Sequence, residues 1–106
     1  MFEAAIAIMY AMLNKHSLDP MEAAAKLLAG YMKCRQLSNA DLNILKLSIC
    51  ARFAQSYTMG LYALSLNPQD QWVMHHAARI WPHLSGLWAT GDEEVLEALT
   101  KYCSPT

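Results

Sequence analysis

Apolar residues recur every three or four positions along most of the chain, which is the spacing of helices with one buried side. In the first segment, residues 2–14, the positions with this spacing are Ile6, Met9, Tyr10 and Leu13. No segment alternates apolar and polar residues in the way that β-strands do. The pattern therefore predicts one all-α domain, residues 1–106, built from about five helices.

The second helix has a strong start signal at Asp19-Pro20. Asp19 can accept hydrogen bonds from free backbone N–H groups, and the fixed φ of Pro20 suits the first helical position. Glu22 stands three residues after the cap, as in a capping box. We expect this helix to end between Cys34 and Leu37.

A third start signal is Ser38 with Asp41 three residues later, and no strong helix breaker follows until residues 67–68. One helix could therefore cover about 28 residues, or about 42 Å. Apolar positions occupy nearly its whole circumference between residues 44 and 54, which predicts a buried central helix. Gly60 is its weakest point, but we expect the helix to continue through it.

The fourth helix opens at residues 67–70, where Asn67, Pro68 and Asp70 repeat the pattern of cap, proline and acidic residue. Pro82 lies in its middle, where a proline removes a backbone hydrogen bond and clashes with the preceding turn. We therefore predict a kink, or a break near Trp81. The apolar stripe of this helix comprises Val73, Ala77, Ile80, Leu84 and Leu87.

A short acidic fifth helix follows the turn at Thr90-Gly91. Its first turn contains Asp92 and Glu93, and we expect it to reach Tyr102. Residues 104–106 should fray, because chain ends are often poorly held.

The composition is apolar for a domain of this size. Of 106 residues, 55% are hydrophobic and only 16% are charged, against about a quarter charged in an average domain. A small domain leaves much of its surface in water, so this excess predicts apolar surface that needs a partner. We predict a homodimer that buries faces of the first and third helices. The missing remainder of a larger protein is the alternative partner.

Charge and hydropathy exclude two further partners. A formal net charge of -1 argues against nucleic acid, which attracts proteins with a basic patch. No uncharged apolar run reaches the eighteen or so residues of a membrane span. The stretch from Ala4 to Leu13 has the length of a signal-peptide core, but Glu3 stands where a positive charge belongs. We therefore expect a cytoplasmic protein without membrane contact.

Cysteines and histidines are the first candidates for chemistry. Cys34, Cys50 and Cys103 form no C-x-x-C pair, and we interpret them as reduced thiols. His76 and His83 lie two helical turns apart, about 10.5 Å, which is too far for a shared metal ion. We interpret the histidines as partly exposed residues on the polar side of the fourth helix.

The three tryptophans, Trp72, Trp81 and Trp88, suggest a ligand cage at first sight. Tryptophan at helical spacing is, however, an ordinary way to bury a large area. We therefore predict core packing or burial at an interface.

Arg52 is the one candidate contact for a ligand. It lies in the most apolar part of the third helix, where an unpaired guanidinium would be costly. It should have an acidic or carbonyl partner, and Glu3, Glu22 and Asp41 are candidates within the chain. We favour this structural pairing over a ligand anion or a residue from a missing region.

Recognisable catalytic motifs are absent from the sequence. It contains neither common kind of glycine-rich phosphate loop, no G-x-S-x-G, no H-E-x-x-H and no H-x-D followed by Asn. We therefore predict no catalytic residue, no cofactor and no metal site for this chain. An enzyme of another type, using His75, His76 or a cysteine, is a further alternative.

Several stretches together resemble a known family. They are residues 2–8 (FEAAIAI), 10–13 (YAML), 19–20 (DP), 29–38 (AGYMKCRQLS) with Asp41, and 51–56 (ARFAQS). These residues resemble the C-terminal helical part of the aminoglycoside phosphotransferase-like small-molecule kinases, and among them most of all the hydroxylysine kinases. Gln36 stands where a proline is common in that family.

The resemblance implies the helical subdomain of a kinase C-lobe. In that family the nucleotide-binding lobe, the catalytic Asp and the metal-binding Asp all precede the matched part. A nucleoside triphosphate and Mg²⁺ would therefore be bound elsewhere in the full-length protein. The resemblance predicts a chain that is catalytically inert by itself, as a fragment, a short product or a truncated paralogue. The alternative is a stand-alone helical module for interaction or dimerisation.

Overall fold

The computed structural model describes residues 2–13 and 19–103, and all regular secondary structure in these ranges is helical. The all-α prediction is confirmed. The predicted fraying of residues 104–106 lies outside the described residues. Within the two ranges, no helix is long and apolar enough to cross a membrane. The six helices are α1 Phe2–Leu13, α2 Pro20–Cys34, α3 Asn39–Asn43, α4 Leu45–Leu66, α5 Gln71–Ala89 and α6 Asp92–Leu99.

The central helix is α4. Helices α1 and α5 pack along it, α3 and α6 touch it, and α2 packs on α1 and α6. Its buried side carries Leu45, Ile49 and Phe53, all fully inaccessible to solvent. Each such side chain contributes roughly 1.5–3 kcal/mol through its removal from water. The core cluster around them includes Ile8, Met9, Met12, Leu28, Ile80, Leu87, Val95 and Leu99.

The apolar side of α1 faces this core. It is covered by α2, α4 and α5, and Tyr10 is the only large apolar side chain described on α1 that is exposed. This helix therefore leaves little apolar surface for the predicted dimer interface. Its buried residues are Ala4, Ala5, Ile8, Met9, Met12 and Leu13.

Two helix starts follow the predicted local chemistry. The Asp19 side chain accepts a hydrogen bond from the Met21 backbone N–H at 3.0 Å. At the start of α3 the capping box is complete, because Ser38 Oγ accepts from the Asp41 N–H and Asp41 Oδ2 accepts from the Ser38 N–H. Both caps satisfy backbone donors that the first helical turn leaves free.

The predicted long third helix is divided at Ile44, which has φ −102° and ψ 3°. Asn43 is a weak helix former, and the turn after it lets Leu45 enter the core completely. The prediction of one helix from residue 38 is therefore wrong. Continuity through Gly60 is confirmed, and a Cβ there would meet the Cβ of Ala77 at an ordinary 3.5 Å.

Helix α5 begins later than predicted. Asp70 rather than Asn67 is its N-cap, and Asp70 Oδ1 accepts from the Val73 N–H at 3.2 Å. The predicted break near Trp81 does not occur, because α5 is continuous through Pro82. The predicted stripe is confirmed, with Ala77, Ile80 and Leu87 buried and Val73 and Leu84 partly buried.

Residues after α6 return to α2. Helix α6 ends at Leu99 rather than at Tyr102, and a turn follows. The Tyr102 hydroxyl donates to Glu22 Oε1 at 3.0 Å, and Cys103 Sγ lies 3.6 Å from Met32 Sδ. Glu22, predicted to complete a capping box, is thus used in a tertiary contact.

The continuous path of α5 predicts that Pro82→Ala stabilises the protein. The substitution restores a backbone N–H to the helix interior and should raise the free energy of unfolding by about 1–3 kcal/mol. Urea unfolding followed by circular dichroism measures the change. Pro20→Ala is the matched control, because a proline at the first helical position causes little loss. An unchanged or lower stability of Pro82→Ala would contradict the prediction.

Candidate functional site

Every exposed residue of α4 is uncharged. At about 100° per residue, these residues share one side of the helix, opposite Leu45, Ile49 and Phe53. The two charged residues of α4, Lys46 and Arg52, are half-buried and flank this side, with Arg52 about 20° around the helix from Met59. We call the exposed set the uncharged face: Leu47, Ala51, Ala54, Gln55, Thr58, Met59, Leu61, Tyr62, Ser65 and Leu66.

The uncharged face corrects the prediction that α4 is buried on all sides. Burial of α4 on all sides was expected from its apolar circumference, but within the described residues only one side is covered. A surface helix normally carries charged residues on its exposed side. The exposed side of α4 departs from this pattern, because it carries no charged residue.

A cleft of about 440 Å³ opens at the N-terminal end of the uncharged face. Its apolar wall is formed by Ile44, Leu47 and Trp88, and its polar wall by Asn43, Lys46 and Asp92. All three apolar side chains are about half exposed or more. The cleft can therefore accept an apolar side chain from outside.

Lys46 holds the polar wall of this cleft in place. Its Nζ donates to the Thr90 carbonyl at 2.6 Å, to the Trp88 carbonyl at 3.2 Å and to Asp92 Oδ1 at 2.8 Å. The ammonium thus satisfies carbonyls at the negative end of α5 and joins them to the first turn of α6. Lys46 was missed from the sequence, because its partners lie more than 40 positions away.

Arg52 does not pair with any of its predicted acidic partners. One of its terminal nitrogens, Nη1, donates to the amide oxygen of Gln55 at 2.6 Å. Its Nε is buried and finds no hydrogen-bond acceptor among the described residues. The expected carbonyl partner is therefore a neighbour on the same helix, one turn further on.

The three predicted acidic partners of Arg52 are used elsewhere. Glu3 forms an ion pair with Arg35 at 3.0 Å, which joins the start of α1 to the end of α2. Glu22 contacts Tyr102 and Lys26, and Asp41 completes the cap of α3.

Two histidines of α5 stack on aromatic rings. His76 stacks on Trp72 with ring centres 5.4 Å apart, and its Nε2 lies 3.4 Å from Ser56 Oγ. His83 stacks on Phe53 at 6.1 Å. Burial lowers the pKa of His83, and the nearby charge of Arg79 lowers it further.

No group of three His, Cys, Asp or Glu side chains within residues 2–13 and 19–103 is placed to hold a metal ion. His75 is exposed, and His16 lies outside the described residues. His83 also borders a second cleft of about 360 Å³ between α1, α2, α5 and α6. Asp19 and Glu94 line this cleft and are both exposed. The rest of its lining is largely apolar, so these residues do not form an acid–base pair.

The tryptophans do not belong to the core of this chain. Trp72, Trp81 and Trp88 are 74%, 55% and 63% exposed. Of the two predicted roles, core packing is therefore wrong, and burial at an interface stays a prediction. Trp88 lies in the 440 Å³ cleft beside the uncharged face.

All three cysteines are free thiols. Cys50 is buried in the core, Cys103 is partly buried and Cys34 is exposed. Burial raises the pKa of Cys50 and of Cys103, so both favour the unreactive protonated form. Cys50 and Cys103 pack in or against the core.

The Lys46 contacts predict a large difference between two lysine substitutions. Lys46→Gln removes a charged donor from three acceptors and should lower the free energy of unfolding by about 1–3 kcal/mol. Lys26→Gln removes only the exposed pair with Glu22 and should cost about 0.5 kcal/mol or less. Urea unfolding of the two variants measures the difference. Equal effects would contradict the structural role of Lys46.

The lowered pKa of His83 predicts that mild acid destabilises the protein. Below its ordinary value of 6.5, the unfolded chain binds a proton that the folded chain binds less readily, so stability falls as the pH falls. The pKa of Glu3 and of Glu22 is lowered from 4.5. Protonation of these two carboxylates therefore lowers stability only in stronger acid. Urea unfolding between about pH 7 and pH 5 measures the slope. His83→Gln should flatten it, whereas exposed His75→Gln should not.

The chain is similar to hydroxylysine kinases over most of its length. The Mus musculus hydroxylysine kinase is 35% identical over 97 residues, which are 91% of this chain and 25% of that protein. Those of Xenopus laevis and Danio rerio are 35% and 32% identical over 95 residues each. No protein-family profile matches the chain, and no solved structure matches it. The resemblance to hydroxylysine kinases is therefore confirmed, and the chain spans about a quarter of the length of the curated relatives it matches.

Proposed function

We propose that this chain is a non-catalytic, C-terminal helical portion of a small-molecule kinase that resembles hydroxylysine kinase. The whole protein would transfer a phosphoryl group from a nucleotide to a hydroxylated amine or amino acid. The observation that carries the proposal is the identity of 32–35% between nine-tenths of this chain and a quarter of the length of four hydroxylysine kinases.

The separate roles of this helical portion and the remainder of the kinase follow from the chemistry of phosphoryl transfer. That reaction needs a positioned nucleotide, Mg²⁺ and a base. The polar side chains that the helices do assemble serve packing: Lys46 joins α5 to α6, and Arg35 joins α2 to α1. We therefore assign nucleotide and Mg²⁺ binding to the remainder of the kinase. Residues 1–106 would act as a single helical unit that supports the catalytic lobe in the cytoplasm.

A stand-alone interaction or dimerisation module is the second candidate. The specific observation in its favour is the uncharged face of α4, which continues into the cleft beside Trp88. A module of this kind would need no catalytic lobe to be useful. Its surface would have to be covered by a protein partner.

A chimera tests the first proposal. The quarter of the Mus musculus hydroxylysine kinase that matches this chain is replaced by residues 1–106, and phosphorylation of hydroxylysine is measured with a nucleoside triphosphate and Mg²⁺. We expect an active chimera, an inactive kinase when the same quarter is deleted, and no nucleotide binding by the isolated chain.

Two results would overturn the proposal. One is a chimera that unfolds cooperatively but lacks activity. The other is saturable, Mg²⁺-dependent binding of ATP or GTP to the isolated chain at micromolar affinity. A chimera with the core variant Phe53→Asp is the matched negative control, since Phe53 is completely buried.

A further inference from the structure

We propose that two copies of this chain pair through the uncharged face of α4, with the two helices antiparallel about a two-fold axis at the level of Ser56 and Tyr57. The inference does not rest on the proposed kinase function, because it concerns the surface of the chain as it stands. It also replaces the wider dimer interface expected from the sequence, since the apolar side of α1 is buried within the chain.

The size of the exposed surface is the first argument. Seven large apolar side chains on the uncharged face and its end cleft are 47–71% exposed, which amounts to on the order of 900 Å². A typical monomer exposes no apolar patch above about 600 Å², whereas a standard interface buries about 800 Å² per partner. These side chains are Ile44, Leu47, Met59, Leu61, Tyr62, Leu66 and Trp88.

The absence of charge is the second argument, and it selects a second copy as the occupant. A two-fold axis places each surface against itself, so any charged residue near the axis would meet its own like charge. None of the ten exposed residues of α4 is charged. The nearest charge on α4 is the Arg52 guanidinium at the margin of the face, where it is bound to Gln55.

The order of small and large residues is the third argument. The first half of the face contains the small residues Ala51 and Ala54, and the second half contains Met59 and Tyr62. In the antiparallel arrangement Ala51 lies opposite Tyr62 of the second copy, because the two positions are only about 20° apart around the helix. Small side chains then meet large ones on both sides of the axis, which allows close helix packing.

The ends of the face fit each other as well. Leu66, which is 71% exposed at the C-terminal end of α4, reaches the level of Leu47 of the second copy in this arrangement. Leu47 forms one wall of the 440 Å³ cleft with Ile44 and Trp88. The two-fold arrangement therefore places Leu66 of each copy beside the cleft of the other copy. Within one copy, Leu66 lies about 28 Å along α4 from the cleft.

Analytical ultracentrifugation of the 106-residue chain, from low to high micromolar concentration, tests the proposal. We expect a reversible monomer–dimer equilibrium. Ala51→Glu places carboxylates within the interface and should raise the dissociation constant at least about 100-fold. Ala7→Glu makes the same change at an exposed position of α1 and should leave the constant within about threefold.

A charge pair tests the antiparallel register. Ala51→Lys and Tyr62→Glu change exposed residues, so each variant should fold, and each alone should dimerise poorly. Mixing the two variants should restore a dimer, because the ammonium introduced at position 51 of one copy then lies opposite the carboxylate introduced at position 62 of the other. Circular dichroism confirms that each variant retains its helices.

Three outcomes would overturn the proposal. The chain remains monomeric at high micromolar concentration, or Ala7→Glu weakens the dimer as much as Ala51→Glu, or mixing the two charged variants restores no dimer. A monomeric chain whose α4 becomes protected only inside the kinase chimera would show that the catalytic lobe covers the face. That result would leave the proposed function intact and reject self-association.

Discussion

The fold depends on the one-sided burial of α4. Leu45, Ile49 and Phe53 fill the space between α4, α1 and α5, and every other helix except α2 packs on α4 directly. Phe53 and Ile49 occupy the buried side, whereas the helical positions of Ala51 and Ala54 place these small side chains on the exposed side. The shape of the exposed surface is therefore a consequence of how the core is filled.

The two ion-paired contacts between helices described above lie at helix ends. Lys46 satisfies the carbonyls that end α5, and the Arg35–Glu3 pair joins the end of α2 to the start of α1. Helix ends are where backbone groups lack helical partners, so a side chain gains most by binding there. Fewer charged residues are needed for this arrangement than for pairs spread over helix surfaces, which fits a chain that is only 16% charged.

Local chemistry could be predicted from the sequence, and distant pairing could not. The caps at Asp19 and Ser38 involve residues two or three positions apart, so their partners are visible in the sequence. Asn67 and Asp70 are both acceptable caps, and the structure uses Asp70, whose carboxylate accepts from the Val73 N–H. The partners of Lys46 lie more than 40 positions away, and no periodic pattern reveals them.

The apolar circumference of α4 shows what a sequence cannot predict about the candidate site. A sequence pattern shows that a helix side avoids water, but it does not show whether the cover comes from the same chain. Residues 45–66 contain only two charged residues, which was the available signal for the uncharged face. Arg52 could be identified as needing a carbonyl partner, yet its choice of Gln55 over three carboxylates depends on rotamers that the sequence does not specify.

The contact between Tyr102 and Glu22 spans 80 positions in the sequence, and it has a consequence for how the chain folds. The α4–α5 hairpin joins neighbouring segments and can form as soon as both have left the ribosome. Docking of α2 on α6 closes a much longer loop and must wait until residue 99 has been made. During synthesis α1 and α2 therefore wait for α6, and a later segment completes the packing of an earlier one.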